Sequence, residues 1–77
     1  MPQFYFHVRH DRVLFEDRRG GVFPDIAAAW NWALSDVRSM IDEEQFSGPI
    51  DQHWVEICDT TGTAIASLPF VRVASLN

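Results

Sequence analysis

The chain of 77 residues is long enough for one small domain, and its apolar fraction of 47% is typical of a globular protein. Its formal net charge of −5, with six arginines and no lysine, disfavours nucleic acid as a partner unless the arginines cluster. A single cysteine excludes an internal disulfide, and no apolar stretch approaches the roughly 20 residues of a membrane span. We therefore expect a protein of the reducing cytoplasm, without a signal peptide.

The first predicted element is a strand in the stretch FYFHVR, where apolar and polar residues alternate. The face expected to be buried carries Phe4, Phe6 and Val8. The other face carries Tyr5, His7 and Arg9. A turn at His10-Asp11 leads to a second, short strand over 13–15, and the Asp-Arg-Arg-Gly-Gly run that follows breaks it.

A long helix is predicted from Ile26 to Phe46, with Asp25 as its N-cap and Gly48-Pro49 as its stop. At 1.5 Å per residue, such a helix is about 30 Å long. Its apolar residues recur at helical spacing and form one broad stripe: Ile26, Ala29, Trp30, Ala33, Val37, Met40 and Ile41.

Two more strands follow the helix. The stretch HWVEICD predicts the third strand, in which His53 shares a face with Val55 and Ile57, whereas Trp54, Glu56 and Cys58 share the other face. A turn from Asp59 to Gly62 leads to the fourth strand, Thr63 to Leu68. The domain is expected to span residues 1–70, with 71–77 as a C-terminal tail.

These elements predict an α+β fold of β-β-α-β-β order. We expect a four-stranded antiparallel sheet with strand order 2-1-3-4 and the long helix packed on one face, because this arrangement needs only short connections. The second face of the sheet then stays uncovered. The side chains of Tyr5, His7, Trp54 and Cys58 are expected to converge there.

Several stretches are similar to those of a known family: MPQFYFHVR, the Asp-x-x-Gly from Asp17 to Gly20, PDIAAAWNWAL and VEICDTTGTAIASLPF. From Met1 to about Phe70, the chain resembles short uncharacterised bacterial proteins grouped as a domain of unknown function. The resemblance implies the fold, a bacterial source and no assigned activity, and it supplies no catalytic residue. The chain departs from the family at His10-Asp11, where Asp-Gly is usual, and at Trp30 and Trp32, where charged residues are usual.

The sequence contains no catalytic or metal-binding motif. Histidine and cysteine are common zinc ligands, and the chain has His7, His10, His53 and Cys58. These residues lack the paired spacing of a zinc site. We therefore expect no metal, no cofactor and no catalytic residue. The run from Arg18 to Gly21 could hold a phosphate, but it lacks the Gly-Lys-Ser/Thr ending of a phosphate-binding loop, and a plain turn is favoured.

Trp32 is the least expected residue of the helix. It is rotated about 200° from Trp30 at 100° per residue, so we expect it to point away from the sheet. There it could anchor a partner, or it could lie flat over Ala27 and Ala28. The sequence leaves both alternatives open.

The absence of a catalytic or metal-binding motif and the many aromatic residues predict a non-enzymatic protein-interaction or regulatory module. We expect it to form a homodimer. The expected contact surface consists of Tyr5, His7, Arg9, Trp32 and Trp54. The alternative is a nucleic-acid-binding regulator, in which aromatic stacking and cations act together. That function would use Tyr5, Arg9, Arg12, Arg18 and Arg19.

Overall fold

A computed structural model describes residues 2–46 and 48–75 of the chain. Its strands are β1 (Gln3–His10), β2 (Val13–Phe15), β3 (Gly21–Val22), β4 (His53–Cys58) and β5 (Ala64–Pro69). Its α-helices are α1 (Ile26–Asp42) and α2 (Phe70–Ala74), and a single 3₁₀ turn, Ile50–Gln52, precedes β4.

The described strands form one antiparallel sheet in the order β2-β1-β4-β5, and β3 pairs with the start of β1. The predicted α+β fold and strand order are therefore confirmed, with β4 and β5 as the third and fourth predicted strands. The short β3 is an addition to the prediction. A stretch of two residues carries too little alternation to be recognised as a strand.

The register of β1 and β4 assigns their side chains to two faces, because residues opposite each other in an antiparallel pair point to the same side. Phe6 lies opposite Ile57, and Val8 lies opposite Val55, on the side of the helices. On the other side, Arg9 lies opposite Trp54.

The core lies between the sheet and the two helices. Three small residues of α1, namely Ala29, Ala33 and Val37, are at most 1% exposed, so the backbone of α1 approaches the sheet closely. The other members of the core come from β1, β4, β5 and α2, and they are Phe4, Val55, Ile57, Leu68, Phe70 and Val73. Each such large apolar side chain contributes about 1.5–3 kcal/mol by its burial.

Both ends of α1 are closed by hydrogen bonds. The Asp25 carboxylate accepts the N–H of Ala28 at 2.9 Å, as expected of the N-cap. The helix ends at Asp42, four residues before the predicted end at Phe46. Glu44 takes a left-handed φ of +52°, and the N–H of Gln45 donates to the carbonyl of Met40 at 2.9 Å, which is a Schellman closure without glycine.

The segment after β5 continues the fold. Pro69 has a φ of −67° and precedes α2 as its N-cap, and Phe70 and Val73 lie one turn apart and are fully buried. Residues 71–75, which the sequence assigns to a tail, thus include a helical turn that contributes Val73 to the core. Residues 76 and 77 lie outside the described residues.

Substitution of two valines of α2 tests whether this helix belongs to the cooperative domain. Val73→Ala removes buried methyl groups and is expected to lower the free energy of unfolding by about 1–3 kcal/mol. Val71→Ala is the matched control, because Val71 is 46% exposed, and we expect a change below about 0.5 kcal/mol. Urea denaturation followed by circular dichroism measures both. Equal effects would show that α2 does not pack as described.

Candidate functional site

The open face of the sheet carries four of the five predicted contact residues, and all four are half-buried. The rings of Tyr5 and His7 lie side by side, with centroids 6.4 Å apart and planes 11° apart. Arg9 Nε donates to Glu56 Oε1 at 3.0 Å, and Trp54 Nε1 donates to the same oxygen at 3.3 Å. The polar groups of this face therefore bond to one another within the chain.

Asp17 holds the loop between β2 and β3 against the edge of β1. Its Oδ2 accepts the N–H of Phe6 at 3.1 Å, and its Oδ1 accepts the N–H groups of Arg19 and Gly20, each at 3.1 Å. Gly20 has a φ of +67°, and a Cβ there would lie 2.6 Å from the carbonyl oxygen of Phe4. This Asp-x-x-Gly stretch is thus a structural turn, and the N–H groups of Asp17, Arg19 and Gly20 are engaged rather than free for a phosphate.

His7 takes part in the same turn as an acceptor. Its Nδ1 accepts the N–H of Asp17 at 2.9 Å, so the proton of the neutral ring lies on Nε2. Burial raises the pKa of Asp17, but the N–H donors of Phe6, Gly20 and Arg19 outweigh burial. The pKa of Asp17 is therefore below its ordinary value, and its charged form stabilises the turn.

A cleft of about 340 Å³ lies on the open face between Tyr5, His7 and the turn after β4. The carboxylate of Asp59 at the rim of this cleft is hydrogen-bonded within its own turn. Its Oδ1 accepts the Thr61 hydroxyl at 2.6 Å and the N–H groups of Thr61 and Thr63. The Thr61 hydroxyl is the main reason that the pKa of Asp59 is below its ordinary value, despite the opposing effect of burial. The carboxylates of Asp17 and Asp59 thus hold turns together and do not point to a ligand.

The histidines are divided between the two sides of the sheet. His10 and His53 stack on the helix side, with ring centroids 4.1 Å apart, and His53 Nδ1 donates to the carbonyl of Pro49 at 2.8 Å. His7 lies on the open face, and Cys58 is 4% exposed. Over residues 2–46 and 48–75, no three His, Cys, Asp or Glu side chains are grouped to hold a metal ion.

Trp32 packs on the sheet, so the expectation that it points away is wrong. Its ring centroid lies 4.8 Å from that of Phe6 in β1 and 6.1 Å from that of Phe23. The prediction measured the direction of Trp32 from Trp30, whereas the line of closest approach runs through Ala29 and the residues one and two turns later. Trp32, three residues after Ala29, is about 60° from Ala29 around the helix axis. It remains 47% exposed.

A groove opens between α1 and β2 on the helix side of the sheet. No residue of β2 belongs to the core, and Phe15 is 59% exposed although its partner Val8 faces the helices. Two adjoining cavities of about 590 and 560 Å³ share Phe15 in their linings. We call this the α1–β2 groove, and its lining includes Phe6, Val8, Phe15, Phe23, Trp32, Asp36, Met40 and Glu44.

Asp36 is one of the acidic residues of the α1–β2 groove that lack a partner among the residues described, as Glu16 and Glu44 also do. One turn after Trp32, the Asp36 carboxylate receives no hydrogen bond and no ion pair from the residues described. Burial raises the pKa of Asp36. A cation placed in the groove would relieve this cost.

The sequence prediction missed Phe15, Phe23 and Asp36. The apolar run Val13–Phe15 could have indicated this groove. A helix covers only one face of a sheet, so a strand that is apolar on both faces leaves apolar side chains exposed. Four of the predicted contact residues lie together on the open face, and Trp32 lies on the opposite side, in the α1–β2 groove.

The chain belongs to the family described as Domain of unknown function (DUF6894), whose model matches residues 3–71. The resemblance to a family of unknown function is thereby confirmed, and the bacterial source stays a prediction. The search of curated proteins returned no match to this chain, and neither did the search of solved structures. Among the residues described, no helix is both long and apolar enough to cross a membrane.

Removal of the Asp17 charge is expected to destabilise the fold. Asp17→Asn should lower the free energy of unfolding at neutral pH by about 1–2 kcal/mol, because an amide cannot accept all three N–H groups as well. Because folding lowers the pKa of Asp17, its charge stabilises the folded state at pH values above the ordinary pKa of 3.8. This stabilisation is lost as the pH falls below that value. The difference between the two proteins should therefore shrink in acid.

Urea denaturation at neutral and at acid pH measures this difference. Asp51→Asn is the control, because Asp51 is exposed and receives no side-chain hydrogen bond within the described chain. A stability difference for Asp17→Asn that does not change with pH would contradict the role of the Asp17 charge.

Cys58 is expected to be unreactive in the folded protein. Burial raises the pKa of its thiol, and the charges of Glu56 and Asp59 raise it further, so the thiolate is scarce at neutral pH. Alkylation by iodoacetamide should be at least about ten-fold slower in the native protein than in urea. Mass spectrometry follows the reaction, and equal rates in the two conditions would show that Cys58 is accessible.

Proposed function

We propose that this chain is a small non-enzymatic interaction module that forms a homodimer by pairing two copies of β2 at the outer edge of the sheet. The supporting observation is the exposure of this strand: Val13, Leu14 and Phe15 are 53%, 42% and 59% exposed. An exposed apolar edge strand is a template for pairing with another strand.

The sequence of β2 is complementary to itself when two copies run antiparallel about Leu14. Arg12 lies two residues before Leu14 and Glu16 two residues after it, so each Arg12 faces the Glu16 of the second copy. Val13 of one copy likewise faces Phe15 of the other. Opposite charges and apolar pairs across strands are stabilising, and like charges are not.

The backbone favours the same edge. In an antiparallel pair the N–H and carbonyl groups of alternate residues point to opposite sides, so an outermost strand has groups that point away from the sheet. The other outer strand, β5, carries Pro69, which has no N–H to donate. A two-fold axis through β2 uses this edge in both copies, and the association closes at two.

The charge distribution argues against the nucleic-acid alternative. That function requires free arginines beside Tyr5, but Arg9 is bonded to Glu56, and the net charge of −5 repels phosphate groups. We also propose a cytoplasmic location. The support is the single cysteine in the sequence, which suits a reducing compartment.

Charge reversal at the proposed interface tests the register. Glu16→Arg places two cations opposite each other at both symmetric positions and is expected to weaken the dimer at least about ten-fold. Arg12→Glu places two carboxylates opposite each other and should have the same effect. The double variant Arg12→Glu/Glu16→Arg restores opposite charges and should restore the dimer. Sedimentation equilibrium measures the dissociation constants of the wild-type dimer and of the three variants.

A control separates this interface from general surface changes. Ile65→Asp alters an apolar residue of β5 that is 43% exposed, and it should leave the dimer unchanged. A wild-type monomer at all concentrations, or a double variant as weak as the single ones, would overturn the proposal. Nucleic acid retained in the native mass spectrum of the purified protein would favour the alternative.

A further inference from the structure

We infer that the α1–β2 groove binds an extended peptide segment that carries apolar and cationic side chains in alternation. The inference deepens the proposed interaction function by naming a partner. It depends on a groove within one chain and not on the dimer.

The apolar part of the groove is an aromatic cluster with open faces. Phe6 contacts both Trp32, at 4.8 Å between ring centroids, and Phe23, at 5.7 Å. Phe15 forms the opposite rim. Because Trp32 and Phe15 are 47% and 59% exposed, the cluster presents apolar surface to solvent, as a binding site for apolar side chains does.

The shape of the groove suits an extended chain. Trp32, Asp36, Met40 and Glu44 recur every four residues and so form one wall along α1 and just beyond its end. The part of this wall within α1, from Trp32 to Met40, is about 12 Å long at 1.5 Å per residue. An extended peptide rises about 3.3 Å per residue, so about four residues span it.

The charge of the wall selects a cation. The carboxylate of Asp36 has no partner among the residues described, and Glu44 lines the groove beyond the end of α1. The electron-rich face of Trp32 beside Asp36 also attracts a cation. A second copy of this chain carries the same net charge of −5, which disfavours it as the occupant.

The proposed dimer shares two residues with this site and leaves the rest of it open: Phe15 faces Val13 of the second copy, and Glu16, which lines the larger cavity, faces Arg12. Strand pairing at the outer edge of β2 extends the sheet in its own plane, whereas the groove lies above the helix side of the sheet. Leu14 faces the other side, opposite Arg9. Leu14→Asp therefore disrupts the dimer interface without changing the lining of the groove.

The probe is a synthetic peptide of about eight residues, Gly-Ser-Lys-Leu-Val-Leu-Lys-Gly, whose lysines are about 13 Å apart when extended. It is titrated into uniformly ¹⁵N-labelled protein, and the indole N–H signals of the three tryptophans report the site. The Trp32 signal is expected to shift with saturation, and the Trp54 signal on the open face should stay in place. Binding should weaken as salt is added.

Two variants and one control peptide test the recognition. Asp36→Asn should weaken binding about five-fold, because it removes a partly desolvated charge. In the Leu14→Asp background, where the dimer is absent, Phe15→Ser should weaken it by a similar factor, while Asp51→Asn should leave it unchanged. The same peptide with both lysines replaced by glutamate should not bind. Equal binding of the two peptides, or no shift of Trp32 at about 1 mM peptide, would overturn the inference.

The monomeric variant separates this inference from the proposed dimer. If Leu14→Asp is a monomer and still binds the peptide, both proposals are supported. If the wild-type protein is a dimer that does not bind the peptide, the inference fails and the dimer stands. If the protein is a monomer that binds the peptide, the groove is supported and the dimer fails.

Discussion

The structure depends on how closely α1 approaches the sheet, and on how little of the sheet one helix can cover. Ala29 and Ala33 let the helix backbone pack directly on side chains from β1, β4 and β5. A helix is about 10 Å wide and strands are about 4.8 Å apart, so one helix covers roughly two strands. With α2 beneath β5, the uncovered strand is β2. The exposed side chains of β2 and the α1–β2 groove both result from the fact that no helix covers this strand.

Most of the fold could be predicted because the long helix and the four longer strands each have a local signal, whereas β3 and α2 do not. Alternation assigned β1 and β4 to their faces, and the Asp25 cap began the helix where expected. The end of α1 could not be predicted in the same way, since its Schellman closure uses Glu44 in a left-handed conformation that usually requires glycine. The helix α2 is missing from the prediction, which assigns 71–77 to a tail, although a proline such as Pro69 suits the residues just before a helix.

The candidate site was harder to predict because it depends on contacts between distant residues. The open face was assigned correctly to Tyr5, His7, Arg9 and Trp54, but the sequence does not show that Arg9 and Trp54 share the carboxylate of Glu56. The direction of Trp32 depended on which residues form the centre of the apolar stripe. That centre was set by small alanines rather than by Trp30. The two Asp-x-x-Gly stretches gave structural turns rather than sites.

Association through an uncovered β2 is the central claim, and amide hydrogen exchange at Leu14 tests it most directly. Exchange is measured by mass spectrometry on dilute and on concentrated protein, with the buried strand β4 as the reference. The account predicts that the amide of Leu14, which points to the outer edge of the sheet, exchanges rapidly in dilute protein and becomes protected as the concentration rises, while β4 does not change. Exchange at Leu14 that is independent of concentration would contradict the claim.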